Sequence, residues 1–481
     1  QVSTPGARAW GSVASALAHV PIASMSWTAA AAVLGYAVQL GNGHLNADAI
    51  VLLQWSLGLA LLAVLMPSME STRSAELVST LALGGVLTWQ LTELFNAPPG
   101  IYIRDASDAG LRPFRVGVVL AGLLCAALMS RGPRQRRSRV SLFVLLLIVH
   151  FAMGAFVVRA APDPFIDTYV FQRDSVLALL FGDNPYAITF VNIYRDETNY
   201  GPGLSHDGRL TFGFVYPPLS LLLAAAGALL GGDVRFSHLV STTLAGAGML
   251  ALAAGRRVAA LAAAVFLFTP RGFFVLEQSW TEPYLVCLFA WAAWSTARQT
   301  RSHPYFLGLL LAIKQHMALL VPLLWLLPTW PRSAKPLANL TLKAFIAAAL
   351  VTLPFVLWSP LAFYRSAIIM QFQQPHRADA LSFAATWAFD HAGEQLPHYL
   401  PFVAAAVSSV IALWRAPRTV SGFAGSAALV YLLFFAFAKQ AFCNYYYYVI
   451  GLLCCAIAAD RTPSGNTRGT ALWKPFRGET R

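Results

Sequence analysis

Charge is scarce in this chain of 481 residues. Asp, Glu, Lys and Arg together make up 11% of it, while 57% of the residues are hydrophobic and the mean hydropathy is +0.59. A soluble domain carries roughly 25% charged residues, so the composition argues against a soluble globular protein. Apolar runs of roughly 17 to 22 residues recur along the chain, and each is long enough to cross a hydrocarbon layer. We therefore predict an all-α polytopic membrane protein.

Cysteines and cofactor motifs are also scarce. The five cysteines lie in or at the ends of apolar segments and form no CxxC pair, so we interpret them as packing residues. No His, Cys or Asp cluster has zinc-ligand spacing, and no Walker or dinucleotide-binding glycine motif is present. We expect no cofactor. A divalent cation between loop carboxylates is an alternative that nothing in the sequence indicates.

Basic residues outnumber acidic ones, 34 to 21, which gives a formal net charge of +13. They lie in short segments between apolar runs instead of one patch, so they indicate topology and not nucleic-acid binding. The densest run, 131–139, is cytoplasmic by the positive-inside rule. The apolar run 140–160 then leads outward, and residues 161–235 form an external loop.

The remaining apolar runs complete a topology of about 14 spans. Residues 1–139 form a four-helix membrane segment, 140–460 a catalytic membrane module, and 461–481 a basic cytoplasmic tail. We interpret 215–231 as an external helix on the membrane surface, with a true span as the alternative. A second external loop covers about 360–399. Multi-pass insertion in a bacterial cytoplasmic membrane, with the active site facing outward, fits this pattern. The predicted runs are 21–41, 49–67, 76–95, 114–130, 140–160, 236–254, 258–272, 283–297, 304–314, 317–330, 343–359, 400–414, 421–438 and 445–459.

The polar stretch 162–218 contains seven of the 21 acidic residues. Asp167 lies among Phe165, Ile166 and Tyr169, and apolar surroundings raise the pKa of a carboxyl group and make it a better proton acceptor. Asp163 shares a helix face with Asp167 if this segment is helical. The alternative is that both are solvated loop carboxylates.

Three ordered motifs in this stretch, Asp167–Phe171, Gly182–Tyr186 and Phe212–Leu219, carry a family resemblance. Together they resemble the first external loop of the GT-C membrane glycosyltransferases. They are most similar to the polyprenyl-phosphomannose-dependent α-mannosyltransferases of glycosyltransferase family 87. The resemblance implies a GT-C fold and Asp167 as the catalytic base of an inverting transfer. Phe171 stands where the family usually has Tyr.

Later segments supply further candidates. Glu282 can orient a substrate hydroxyl, or simply favour a helix N-terminus. The segment ending at Lys314 resembles the family's glycine-rich outward helix, which ends in Lys. With His316 beside it, Lys314 can bind the lipid phosphate of a donor and stabilise it as it leaves; snorkelling is the alternative for Lys314. Lys439 is either a snorkelling residue of an aromatic belt or a contact to donor phosphate or sugar. The substrate-binding candidates are Asp163, Tyr186, Tyr216, Glu282, Lys314, Gln315, His316 and Lys439.

These features predict transfer of a hexose, with mannose favoured by the resemblance, or of a pentose. The donor is a polyprenyl-phosphate sugar and the acceptor an external hydroxyl of a glycan or glycolipid. The rival hypothesis is a transporter or lipid-linked-sugar flippase. That class predicts ionisable residues within the spans, whereas the charges here cluster at the ends of the apolar runs.

Overall fold

The computed structural model describes residues 21–66, 73–132, 134–327 and 334–460. The basic tail 461–481 lies outside the described residues. The first five helices are α1 (Ile22–Gly41), α2 (Ala47–Leu65), α3 (Arg73–Asn96), α4 (Arg112–Ser130) and α5 (Arg136–Ala160). The first predicted external loop contains helix α6 (Asp167–Phe181), a 3-10 turn (Glu197–Tyr200) and a hairpin of β1 (Ser205–His206) with β2 (Arg209–Leu210).

The second half of the chain continues with shorter helices, several of them broken. They are α7 (Pro218–Gly231), α8 (Arg235–Leu252), α9 (Arg257–Leu267), α10 (Gly272–Glu277), α11 (Glu282–Ala297), α12 (His303–Leu311), α13 (Ala334–Trp358), α14 (Pro360–Phe363), α15 (Met370–Gln373), α16 (Phe383–Asp390), α17 (Leu400–Arg415), α18 (Val420–Ala436) and α19 (Cys443–Ala459). A π-helical turn, Tyr364–Ile369, joins α14 to α15.

Four described helices are long and apolar enough to cross a membrane. They are Ala47–Leu65, Arg112–Ser130, Arg136–Ala160 and Lys335–Trp358. Helices α7 and α8 qualify as a fifth, bent span, with an angle of 105° between them. The chain is therefore mostly helical and carries helices of membrane-spanning length, as predicted. The larger number of about 14 spans stays a prediction, because α9, α17, α18 and α19 are apolar but shorter.

One core joins the two ends of the chain. Helix α1 packs on α2 and α19, α2 packs on α18, and α3 packs on α9. Helices α18 and α19 are buried around most of their circumference, as expected for helices that are hydrophobic on all faces. The N-terminal segment is thus built into the same core as the predicted catalytic module.

The segment after α12 is not the regular helix predicted for 317–330. Lys314 adopts an extended conformation, with φ −151° and ψ 143°, and two 3-10 turns follow, Gln315–Leu320 and Pro322–Leu326. Pro322 removes a backbone donor at this point, and residues 328–330 lie outside the described part. The break at Lys314 brings its side chain to a cavity instead of to a helix surface.

Arg235 fixes the exit of α5, from which the first loop departs. Its guanidinium is fully buried and donates to the carbonyl oxygens of Ala161 (2.7 Å) and Val158 (3.2 Å). It pairs with Asp233 at 2.6 Å and lies 4.9 Å from the centroid of the Tyr169 ring. Carbonyls at the end of a helix lack intrahelical donors, so Arg235 supplies donors and ties α5, α6 and α8 together.

Replacing Arg235 by Ala leaves the Asp233 carboxylate and two helix-end carbonyls without their donor. Breaking a buried ion pair typically costs about 3–5 kcal/mol, so we expect Arg235→Ala to unfold at a clearly lower temperature in a thermal melt of the purified protein. Arg112→Ala, at an exposed arginine that begins α4, is the matched control. Equal melting temperatures for the two variants would contradict the anchoring role.

Candidate functional site

A cavity of about 1080 Å³ lies among the first loop, α6, the Lys314 break and the segments around residues 372–377 and 439–445. Six of the predicted site residues line it: Asp167, Tyr216, Lys314, Gln315, His316 and Lys439. Its walls are mixed, with aromatic rings beside carboxylate, amide and basic groups. Such a combination is typical of ligand-binding sites.

Asp167 is the first residue of α6, and its side chain lines the cavity. Burial raises the pKa of this carboxyl, while the hydrogen bond from Tyr200 and the nearby charge of Arg377 oppose the rise. The Tyr200 hydroxyl donates to Asp167 Oδ2 at 3.1 Å. A carboxylate drawn out of water and still held by a donor is a competent proton acceptor near neutral pH.

Helix α6 is pinned to the turn between α10 and α11. The Thr168 hydroxyl donates to the carbonyl of Gln278 at 2.7 Å, and the Gln172 amide donates to the carbonyl of Ser279. These contacts fix the first turn of α6, and with it the direction of the Asp167 side chain. Asp163 precedes the helix, so it does not share a helix face with Asp167. It is exposed and pairs with Arg104 at 3.0 Å.

Tyr200 was not singled out from the sequence. It comes from the 3-10 turn Glu197–Tyr200 and packs in an aromatic cluster with Phe171, Phe190 and Phe212. Tyr194 stands beside it, and its hydroxyl accepts the backbone N–H of Asp167 at 3.3 Å. The only signal available in the sequence was the presence of aromatic residues in an otherwise polar stretch.

Lys314 forms a buried ion pair with Glu282, whose Oε1 also accepts from Asn444 Nδ2 at 2.9 Å. The ammonium group lies 5.2 Å from the ring centroids of both Tyr216 and Tyr445. A buried pair of this kind needs further hydrogen bonds to offset desolvation. The charge of Lys314 is therefore compensated at the cavity wall, and Glu282 lies behind the wall instead of lining it.

Gln315 and His316 differ in their surroundings. Gln315 Nε2 donates to the carbonyls of Val215 (2.8 Å) and Ala367 (2.7 Å), so it joins the first loop to the second. His316 lies among the rings of Tyr431 and Phe435, and its Nε2 has no partner within the described residues. Gln315 thus holds the wall together, while His316 offers a free ring nitrogen.

Tyr186 supports the cavity from outside. Its ring is buried among Phe214, Phe355 and Phe363, and its hydroxyl donates to the carbonyl of Tyr216 at 2.8 Å. Tyr186 does not line the cavity, whereas Tyr216 does. We interpret Tyr186 as a group that positions the Tyr216 backbone.

The loop between α3 and α4 forms one wall, which the sequence did not predict. The Glu277 carboxylate accepts the backbone N–H groups of Ile101 and Tyr102, both at 2.8 Å, and the Tyr102 hydroxyl donates to the carbonyl of Phe165 at 2.7 Å. Gly100 lies so close that an added Cβ would meet Glu277 Oε1 at 2.1 Å. The loop between α3 and α4 is thereby held against Phe165, two residues before Asp167.

A second wall contact comes from the turn between α1 and α2. His44 Nδ1 lies 3.2 Å from Asp379 Oδ2, and Arg377 binds Asp379 through two hydrogen bonds of 2.8 Å. Although burial opposes it, these two partners lower the pKa of Asp379. Gly43 has a φ of +78° and lies against the start of α19, a conformation that favours glycine. His44 and Arg377 both line the cavity.

No protein-family model, no curated protein and no solved structure matched this chain.

The hydrogen bonds that Glu277 accepts from Ile101 and Tyr102 should slow amide exchange at these two residues. Hydrogen bonds to a charged group contribute roughly 1.5–3 kcal/mol each, so Glu277→Ala should speed amide exchange of the peptide that contains Ile101 and Tyr102 by about tenfold or more. Hydrogen–deuterium exchange with mass spectrometry measures this directly. Glu394→Ala, at an exposed carboxylate of the second loop, serves as the control. Unchanged exchange at residues 101–102 in Glu277→Ala would show that these hydrogen bonds do not protect the loop.

Proposed function

We propose that this chain is a GT-C membrane glycosyltransferase of about 14 spans whose active site faces outward from a bacterial cytoplasmic membrane. It moves a sugar from a polyprenyl-phosphate donor to a hydroxyl of a glycan or glycolipid. The observation that carries the proposal is the Asp167 carboxylate, which burial makes more basic and which opens on a cavity with aromatic and cationic walls. Mannose is favoured by the resemblance of the first loop, and a pentose is the alternative.

The proposed reaction is a single displacement. Asp167 accepts the proton of the acceptor hydroxyl, whose oxygen forms a bond to the anomeric carbon of the donor sugar. The bond from that carbon to the phosphate oxygen breaks, and its electron pair leaves with the polyprenyl phosphate. Attack on the face opposite to the leaving group inverts the anomeric centre.

Three features of the cavity support this chemistry. The Tyr200 hydroxyl donates to Oδ2 of Asp167, and the carboxyl group lines the cavity, so an acceptor hydroxyl that enters the cavity can pass its proton to this group. Cationic side chains border the cavity, and a cation that is not already offset by a carboxylate favours negative charge that develops on a leaving phosphate. Tyr216 and Tyr445 provide aromatic faces, which suit the apolar faces of a sugar ring.

Replacing Asp167 by Asn removes the proposed base while keeping the size of the side chain. We expect transfer from a polyprenyl-phosphate sugar to fall by at least about two orders of magnitude, which is a typical contribution of general-base catalysis. The assay uses purified full-length protein with radiolabelled lipid-linked donors and measures product formation.

Asp207→Asn is the matched control, because Asp207 lies exposed in the turn between β1 and β2 and Asn tolerates its positive φ of 51°. It should keep full transfer. Normal turnover by Asp167→Asn refutes the base assignment. Solute uptake in proteoliposomes, without transfer from any donor, would favour a transporter instead.

The hydrogen bond from Tyr200 to Asp167 affects the pH dependence of the same step. Transfer requires ionised Asp167, so its rate rises as pH increases through the pKa of this carboxyl, which lies above the ordinary value. The Tyr200 hydrogen bond lowers that pKa, so Tyr200→Phe should move the acidic limb of the rate–pH profile to higher pH. A measured limb at unchanged or lower pH would contradict the assignment. Tyr364→Phe, at an exposed tyrosine, should leave the profile in place.

A further inference from the structure

The cationic side chains of the cavity differ in whether a carboxylate compensates them. Lys314 pairs with Glu282, and Arg377 pairs with Asp379. Within the described residues, Lys439 is the lining Lys or Arg with no carboxylate partner. Its ammonium donates to the carbonyls of Phe372 (3.1 Å) and Gln374 (2.6 Å), which leaves one of its three N–H groups for another acceptor.

Partial burial lowers the pKa of Lys439, as expected for an ammonium group that lacks a counter-ion. An incoming anion would reverse this cost, because opposite charge stabilises the protonated form. The two carbonyls orient the ammonium group but do not neutralise it. The ammonium group of Lys439 therefore gains a counter-ion only when an anionic ligand is bound.

His376 lies next to Lys439 because two chain segments run side by side. The backbone N–H of Arg377 donates to the carbonyl of Lys439 at 2.9 Å, and Gln440 Nε2 donates to the carbonyl of Pro375 at 3.0 Å. The Nε2 atom of His376 is buried, without a partner among the described residues. His398 also lines the cavity; burial lowers the pKa of His376, and the nearby His398 and Lys439 add to that effect.

An apolar wall continues from this basic group to the outer surface. Phe402, Phe434 and Phe437 line the cavity, and the rings of Phe402 and Phe434 lie 5.3 Å apart. Phe402 is also 51% exposed, and Val403, Val407 and Val410 extend the apolar surface along α17. Contiguous exposed apolar surface on such a helix suits contact with lipid chains.

We propose that Lys439, together with His376 and His398, binds the phosphate of the lipid donor, while the hydrocarbon chain leaves along Phe402 and the outer face of α17. This assignment rests on the proposed glycosyltransferase function and specifies its donor site. It differs from the expectation that the phosphate meets Lys314 and His316, because the charge of Lys314 is already compensated by Glu282. Asp167 and the basic group line the same cavity, whose volume is about 1080 Å³.

Binding of farnesyl phosphate to the full-length protein in detergent tests the site without turnover. Trp280 lines the cavity, so tryptophan fluorescence provides the isotherm, and inorganic phosphate and farnesol are titrated in parallel. We expect farnesyl phosphate to bind more tightly than either. Equal affinity for inorganic phosphate would point to a free-phosphate site and overturn the lipid assignment. Tighter binding of farnesol would overturn the phosphate contact.

Lys439→Gln should weaken binding of farnesyl phosphate by about tenfold or more, the usual effect of losing a hydrogen bond to a charged group. His376→Gln and His398→Gln should weaken it in the same direction. Lys343→Gln, at an exposed lysine of α13 that does not line the cavity, should bind as the native protein does. Lys439 also binds two backbone carbonyls, so Lys439→Gln could destabilise the protein. If its melting temperature is lowered, His376→Gln and His398→Gln test the site instead.

The outcomes separate this inference from the proposed function. Native affinity in Lys439→Gln and His376→Gln overturns the donor-phosphate site, even if transfer proves to depend on Asp167. Binding that depends on Lys439 and His376, in a protein that transfers no sugar from any donor, supports an anionic-lipid site and overturns the enzymatic proposal.

Discussion

The cost of taking charge out of water governs this cavity. The charged groups on its walls are stabilised to different degrees. Lys314 and Arg377 each have a carboxylate partner, Glu282 and Asp379, whereas Asp167 is stabilised by a tyrosine hydroxyl and remains more basic than usual. Buried charges that keep a full partner are structural, whereas those held incompletely are available to a ligand. By this criterion Asp167 and Lys439 are the two groups poised for chemistry, and the proposed reaction needs both a base and an anion site.

The N-terminal helices gain a role from the same contacts. Glu277 binds the loop between α3 and α4, and Asp379 binds His44 of the turn between α1 and α2. Both turns therefore form part of the cavity wall, and α1 and α2 pack on α19 and α18. The N-terminal helices therefore support the walls of the cavity.

Local sequence patterns predicted much of the helical framework but only part of the site. The apolar run 140–160 corresponds to α5, Arg136–Ala160, and Asp167 lines the cavity. The contact between Tyr200 and Asp167 could not be predicted because 33 residues separate them in the sequence, and 175 residues separate Glu277 from Tyr102. Such contacts depend on packing, which no local periodicity reveals. The regular helix predicted for 317–330 was wrong because apolarity alone does not distinguish an α-helix from 3-10 turns interrupted by proline.

The residues that line the cavity come from different stretches of the chain. The loop before α7 supplies Asp167 and Tyr216, whereas the stretch from 372 to 440 supplies the basic group and the apolar wall. Gln315 joins the two stretches by donating to the backbone carbonyls of Val215 in the first loop and of Ala367, which lies just before residue 372. Every residue type has a backbone carbonyl, so these contacts depend little on the side chains at the two positions. Under the proposed function, this division would assign acceptor recognition to the first loop and donor binding to the later stretch.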